Sequence, residues 1–171
     1  MLPVLHSIPD TPEKGMPKKV NVTMGFPLSE TPVYSFVNAL LTLQTDGWDA
    51  RHSRFRYTFQ QHVLHHPYAK HSTPEALLTY RASSLTDLLT YVREMLEAVG
   101  SSYSSIASPD IYQQLYIESV FQCHRIIQKF LQLLNHPDSL FNVQQTTLRR
   151  LIRNVLSSTS IPFHGEPATG L

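Results

Sequence analysis

The segment spanning residues 18–43, KKVNVTMGFPLSETPVYSFVNALLTL, constrains the fold more than any other part of the chain. Val20, Val22 and Met24 alternate with Asn21 and Thr23, which predicts a strand over 19–24 with one apolar face. Gly25 and Pro27 are expected to stop it, because glycine permits unusual dihedrals and proline removes a ladder donor. Thr31 then stands where a helix cap belongs, with Pro32 at the first helical position. Val33, Phe36, Val37, Leu40 and Leu41 recur at helical spacing and give a core face. The remaining chain reads as almost wholly helical. A strand with so little β-company must find its partner sheet elsewhere.

At 171 residues the chain has the length of one domain with a real core. Its charged content of 16% is low against a typical quarter, which points to surface covered by something else. Lys plus Arg number 14 against 13 Asp plus Glu, so net charge selects no class of partner. Cys123 is the single cysteine, which excludes an internal disulfide and a Cys-rich metal or iron–sulfur site. The first residues lack a basic stretch followed by a clean apolar one, so no secretory signal is expected. No run reaches the 18 or more apolar residues of a membrane span. A cytoplasmic, membrane-free protein is the expectation.

Residues 1–17 hold Pro3, Pro9, Pro12 and Pro17 and read as an extended lead-in. Residues 18–171 read as a single domain. It is expected to be mainly α, a bundle of five to six helices with one or two short strands at its ends. Helices are predicted at about 32–45, 55–66, 74–81, 85–99, 110–135 and 143–157, with extended chain at 160–167. Residues 45–54 read as a polar, aromatic loop. Thr73-Pro74-Glu75 and the capping box Ser84-Leu85-Thr86-Asp87 start two helices, and Gly100 is a natural stop for the second. The longest helix carries apolar residues on more than one stripe, which predicts burial on two sides at the bundle's centre. The last is expected to bury Leu148, Leu151, Ile152 and Val155. Extended at both ends and helical between, the layout is that of an insertion in a larger α/β protein.

The candidate chemistry is sparse. His62 and His66 share the i, i+4 spacing of zinc helices, with His65 and His71 nearby, but no HExxH pattern or carboxylate accompanies them. Arg149, Arg150 and Arg153 lie opposite the last helix's apolar stripe, with Arg125 and Lys129 on the helix before. Such a face binds phosphate by charge and fork geometry, or is simply solvated. Tyr103, Tyr112 and Tyr116 flank a Ser-rich loop, where they either stack on bases or pack plainly. No GxxxxGK[ST] loop is present. Pro-Asp pairs at 9–10, 109–110 and 137–138 lack the Glu-x-Lys or Asp-x-Lys of a metal-dependent nuclease. No serine has a recognisable His and acid partner. The chain is expected to catalyse nothing by itself.

At VNVTMGFPLSETPVYSFVNALLTLQ the sequence resembles the AddB/RecB-like helicase–nuclease proteins of bacteria. It looks closest to Bacteroides-type members of the PD-(D/E)XK nuclease family or inactivated superfamily-1 helicases. HVLHHPYAK (62–70) and TLRRLIRNVLSSTSIPFHGEPATGL (147–171) carry the resemblance further, in family order. It implies a piece of the second helicase domain with its helical insertion, the 19–24 strand belonging to the motor's sheet. Gly25, Phe163, Gly165, Glu166 and Pro167 would lie near the motor's DNA or nucleotide groove. ATP, Mg2+ and an iron–sulfur cluster belong, by the same resemblance, to the parent helicase/exonuclease and not to this segment.

The function so implied is non-catalytic DNA engagement within a double-strand-break repair and recombination subunit. Arg149, Arg150, Arg153, Lys129 and Arg125 are the expected DNA-binding residues, read from their face alone. The alternative is a structural or protein-interaction bundle that joins helicase and nuclease domains or docks a partner subunit. The low charge content favours that alternative.

Overall fold

Helix α1, Pro32–Asp46, is the hub of the computed structural model, which describes residues 25–136 and 143–162. It packs against every other long helix. Val33, Phe36, Val37, Leu40, Leu41 and Leu43 are all 0% exposed, a wider apolar surface than one stripe supplies. Around it lie α2 (Tyr57–Leu64), α3 (Pro74–Leu78), α4 (Leu85–Tyr103), α5 (Ile111–Asn135) and α6 (Gln145–Ser158). Short 3-10 turns cover Leu28–Glu30 and Pro67–His71. Over the described residues the protein is a mainly helical bundle with two small antiparallel sheets, the architecture expected from sequence.

The first sheet joins the two ends of the described chain. Strand β1, Gly25–Pro27, pairs antiparallel with β4, Ser160–Pro162, setting Gly25 opposite Pro162 and Phe26 opposite Ile161. The expected strand over 19–24 lies outside the described residues. Gly25 and Pro27, expected to end a strand, are themselves in one. The pairing explains why: a Cβ at Gly25 would sit 2.8 Å from the Ser160 Cβ, so only glycine admits this approach. Past Pro27 the ladder continues as Leu28 N–H donating to the Thr159 carbonyl at 2.9 Å. The second sheet, Trp48–Asp49 with Arg54–Phe55, forms a hairpin inside the segment read as a loop. Asp49 closes its turn by accepting from the Arg51 N–H at 3.0 Å, and Ser53 takes a φ of 50°. Trp48 meets Phe55 edge to face at 5.1 Å.

Helix ends follow their caps, with four corrections, of which one is that α3 stops at Leu78 where the helix was expected to reach 81. Thr73 accepts from Ala76 N–H, and the Ser84–Asp87 capping box is complete. Asp110 and Gln113 form a second box at α5. Thr31 does not cap α1; its hydroxyl instead donates to the Leu28 carbonyl at 2.6 Å, satisfying the turn before the helix. Helix α2 starts later than expected, because Phe55 belongs to the hairpin. Helix α4 runs through Gly100 to Tyr103, because Gly100 keeps a helical backbone instead of the left-handed stop a C-terminal glycine supplies.

Two burial expectations are also corrected. Helix α5 is not the centre of the bundle: it buries one face (Leu115, Val120, Cys123, Ile127, Leu131) and leaves Ile111, Tyr112, Phe121 and Leu133 exposed. The hub position went to α1, whose apolar residues surround more of the helix. In α6 the buried residues are Leu148, Ile152 and Leu156, spaced by four, whereas Val155 is 39% exposed. Buried Gln44 ties the hub to the chain before α4, donating to the Tyr80 carbonyl and accepting from Ala82 N–H. No helix among the described residues is long and apolar enough to cross a membrane.

Candidate nucleic-acid interface and the histidine–tyrosine turn

Leu148, Ile152 and Leu156 turn one side of α6 into the core, so the intervening arginines are directed elsewhere. Arg149 is drawn back onto the bundle. Its Nη1 donates to Thr45 Oγ1 at 2.9 Å and to the Asp46 carboxylate, clamping α6 to the last turn of α1. Only Nη1 is engaged, so the Nη2 and Nε donors stay free, while Asp46 offsets the charge of the guanidinium. Arg150 and Arg153 are exposed, as are Arg125 and Lys129 on α5. The Arg125 guanidinium lies 6.0 Å from the Phe121 ring centroid, at the outer edge of a cation–π contact.

Phe121, Arg125, Lys129 and Leu133 follow one another at four-residue steps, and all four are exposed. They form a mixed basic and apolar stripe on the outer side of α5. Charge is segregated along the chain as well. Between Ser119 and Ser158 stand Arg125, Lys129, Arg149, Arg150 and Arg153, with Asp138 as the only acid. The one acid that neutralises Arg149, Asp46, comes from α1. Of the residues that the resemblance would put near a motor groove, Gly25 lies in β1, while Phe163, Gly165, Glu166 and Pro167 fall outside the described residues.

The histidines build a turn. His66 Nδ1 accepts from the Tyr68 N–H at 3.2 Å, which places the proton on Nε2. That nitrogen donates to Ser35 Oγ at 2.9 Å, and Ser35 in turn donates to the Pro32 carbonyl at 2.9 Å. Both ring nitrogens are thereby occupied in a neutral imidazole tilted at 31° against Phe36, at 5.0 Å between centroids. Burial pushes the His66 pKa down, outweighing the nearby Pro32 carbonyl. His65 Nδ1 lies 3.0 Å from the Gln61 carbonyl. Among the described residues no group of three His, Cys, Asp or Glu side chains is placed to hold a metal ion.

The three tyrosines around the Ser-rich loop are divided. Tyr112 is 68% exposed, whereas Tyr103 and Tyr116 face a small cavity with Tyr68 and His71. A larger groove of about 600 Å³ runs between α1 and α2, lined by Tyr34, Asn38, Thr42, Phe59 and His62 among others. No Asp, Glu, Lys or Arg lines it, so it holds no carboxylate pair for acid–base work. Sequence reasoning missed Tyr68. The only available signal was its place after His66-Pro67, where a proline-started turn directs one side chain inward. Compared with protein-family models, with curated proteins and with solved structures, the chain matches none.

Proposed function

We propose that this chain is a non-catalytic accessory bundle of a bacterial DNA double-strand-break repair helicase–nuclease subunit of the AddB/RecB-like type, and that it engages DNA through phosphate contacts. The observation that carries this reading is the charge segregation on α5 and α6. Arg125, Lys129, Arg150 and Arg153 are exposed there, and Asp138 is the sole acid between Ser119 and Ser158. Glu118 is the acid of α5, and none of these four cations forms an ion pair among the described residues, which keeps their charge available for phosphate. Arg149 is a clamp in this reading, since Asp46 already neutralises it. ATP, Mg2+ and an iron–sulfur cluster would act elsewhere in the parent. One cysteine, 0% exposed, cannot supply the thiolates that such a cluster needs.

The test is salt-dependent binding of duplex-end and single-stranded DNA by the 171-residue chain. Each phosphate neutralised on duplex DNA adds about −0.9 to the slope of log K against log salt. Reversing Arg150 and Arg153 to Glu removes two such contacts. A slope unchanged by that substitution would sink the reading.

One observation supports a second reading, a docking surface for a partner subunit. Phe121 and Leu133 are 53% and 54% exposed on the same stripe as the cations. Exposed apolar residues beside charge suit a protein interface as well as a nucleic acid. Changing Phe121 and Leu133 to Ser separates the two, because it spares the phosphate contacts and weakens only a protein partner.

A further inference from the structure

The groove of about 600 Å³ between α1 and α2 has the size of an ordinary small-molecule site. One wall carries Tyr34, Asn38 and Thr42, which follow at four-residue steps along one face of α1. The other carries Thr58, Phe59 and His62 of α2. Ala39 also lines the groove, and its methyl leaves the space between the helices unfilled. Asn38 and Thr42 are half-buried, while Thr58 and His62 are exposed at the mouth. Among the described residues, none of these four side chains hydrogen-bonds to another protein group. Their donors and acceptors are open to a guest.

Three properties of the lining define that guest. No Asp, Glu, Lys or Arg lines the groove, so the enclosed part of the guest is uncharged, because a buried charge without a partner is costly. The Tyr34 and Phe59 rings favour a flat guest that can stack on an aromatic face. The Asn38 amide presents a donor and an acceptor side by side, and an amide of this kind pairs with two neighbouring groups on one edge of a base. A flat, neutral ring with an adjacent donor and acceptor on its edge is a nucleobase. We propose that the α1–α2 groove seats a single nucleobase, its face against the Tyr34 and Phe59 rings and its edge paired to the Asn38 amide. The attached sugar stays at the mouth, beside Thr58 and His62. A free nucleoside and an unpaired base of a single strand offer the same chemistry. The groove holds no cation, so the site does not rest on the basic stripe of α5 and α6.

The probes are the four deoxynucleosides, titrated singly into the full chain by calorimetry and ligand-observed NMR. The salt is kept high enough to screen the basic stripe. Saturable binding of at least one nucleoside is expected, and none of glucose. Asn38→Leu keeps the bulk of the side chain and deletes both of its hydrogen-bonding functions. It should weaken that nucleoside about ten-fold or more without lowering Tm, since Asn38 pairs with no protein group. Should Asn38→Leu lower Tm, Asn38→Asp decides in its place, because it removes the donor, sets a charge in a neutral groove and should weaken binding as much. A short single strand of the best-binding base displaces the nucleoside if strands are the source, and fails to displace it if free nucleosides are. The proposal is overturned if no nucleoside binds saturably, if glucose binds as well as the nucleosides, or if the Asn38 variants bind undiminished. The DNA reading stands or falls separately, on its salt slope.

Discussion

Arg149 on α6 reaches the carboxylate of Asp46 on α1 across 103 residues of sequence. The contact bolts the last helix to the hub helix beside the Trp48 hairpin. It also removes one arginine from the face that would otherwise read as uniformly basic.

Because both partners are partly exposed, at 28% and 40%, the pair contributes modestly. A double-mutant cycle of Arg149→Ala and Asp46→Ala should give a coupling of about 0.5–1 kcal/mol in urea unfolding. Arg149→Ala should also leave DNA affinity nearly unchanged. A large loss of affinity with no coupling would mean that Arg149 serves DNA and not the fold.

Two glycines should respond to alanine with opposite sign. Gly25→Ala forces a Cβ to within 2.8 Å of the Ser160 Cβ and Oγ, an overpacking expected to cost about 1–3 kcal/mol. Ser160→Gly should restore most of that loss in the double variant. Gly100→Ala meets only Val120 Cγ1, at 3.8 Å, inside a continuous helix. It should stabilise by about 0.4–1 kcal/mol, chiefly by restricting the unfolded chain. Thermal unfolding of the three variants checks both signs.

His66 makes stability depend on pH. Its folded pKa lies below the ordinary 6.5, because burial disfavours the charged ring. The unfolded chain therefore binds the proton more readily as pH falls below about 6.5. Stability is full above that value and declines as pH drops toward the depressed folded pKa. His71 is shifted the same way, by burial and then by Lys70. In His66→Asn the side-chain oxygen replaces the Nδ1 acceptor without titrating. That variant should lose less stability between pH 7.5 and pH 5.5 than the parent, as read by urea titration at each pH. An equal loss would place the pH response elsewhere.

Much of the fold was legible because local chemistry decided it. Thr73-Pro74, the Ser84–Asp87 box and the Asp110 cap are short-range devices, and the helices start where they stand. Extended chain from 160 was legible too, but the strand Ser160–Pro162 pairs with Gly25–Pro27, residues read as ending a strand and not as forming one. The hairpin was hidden because its turn rests on Asp49 and a left-handed Ser53, not on the Asn-Gly or Asp-Gly signal of tight hairpins. Gly100 looked like a stop because composition does not reveal whether a glycine backbone is helical. Helical spacing told which face of α6 is apolar, yet not that Leu156 rather than Val155 completes it. For the candidate site, exposure of Arg150 and Arg153 followed from the pattern. The capture of Arg149 by Asp46 is a tertiary fact with no local signature.

The central claim is that the outward cations of α5 and α6 meet DNA phosphates. Its most direct measurement is the salt dependence of DNA affinity for the parent chain and for the Arg125, Lys129, Arg150 and Arg153 fourfold Glu variant. Neutralising phosphates at these positions gives a steep log–log slope in the parent, with about −0.9 lost per contact in the variant. A parent that binds no DNA at low salt, or a variant with the same slope and affinity, contradicts the claim.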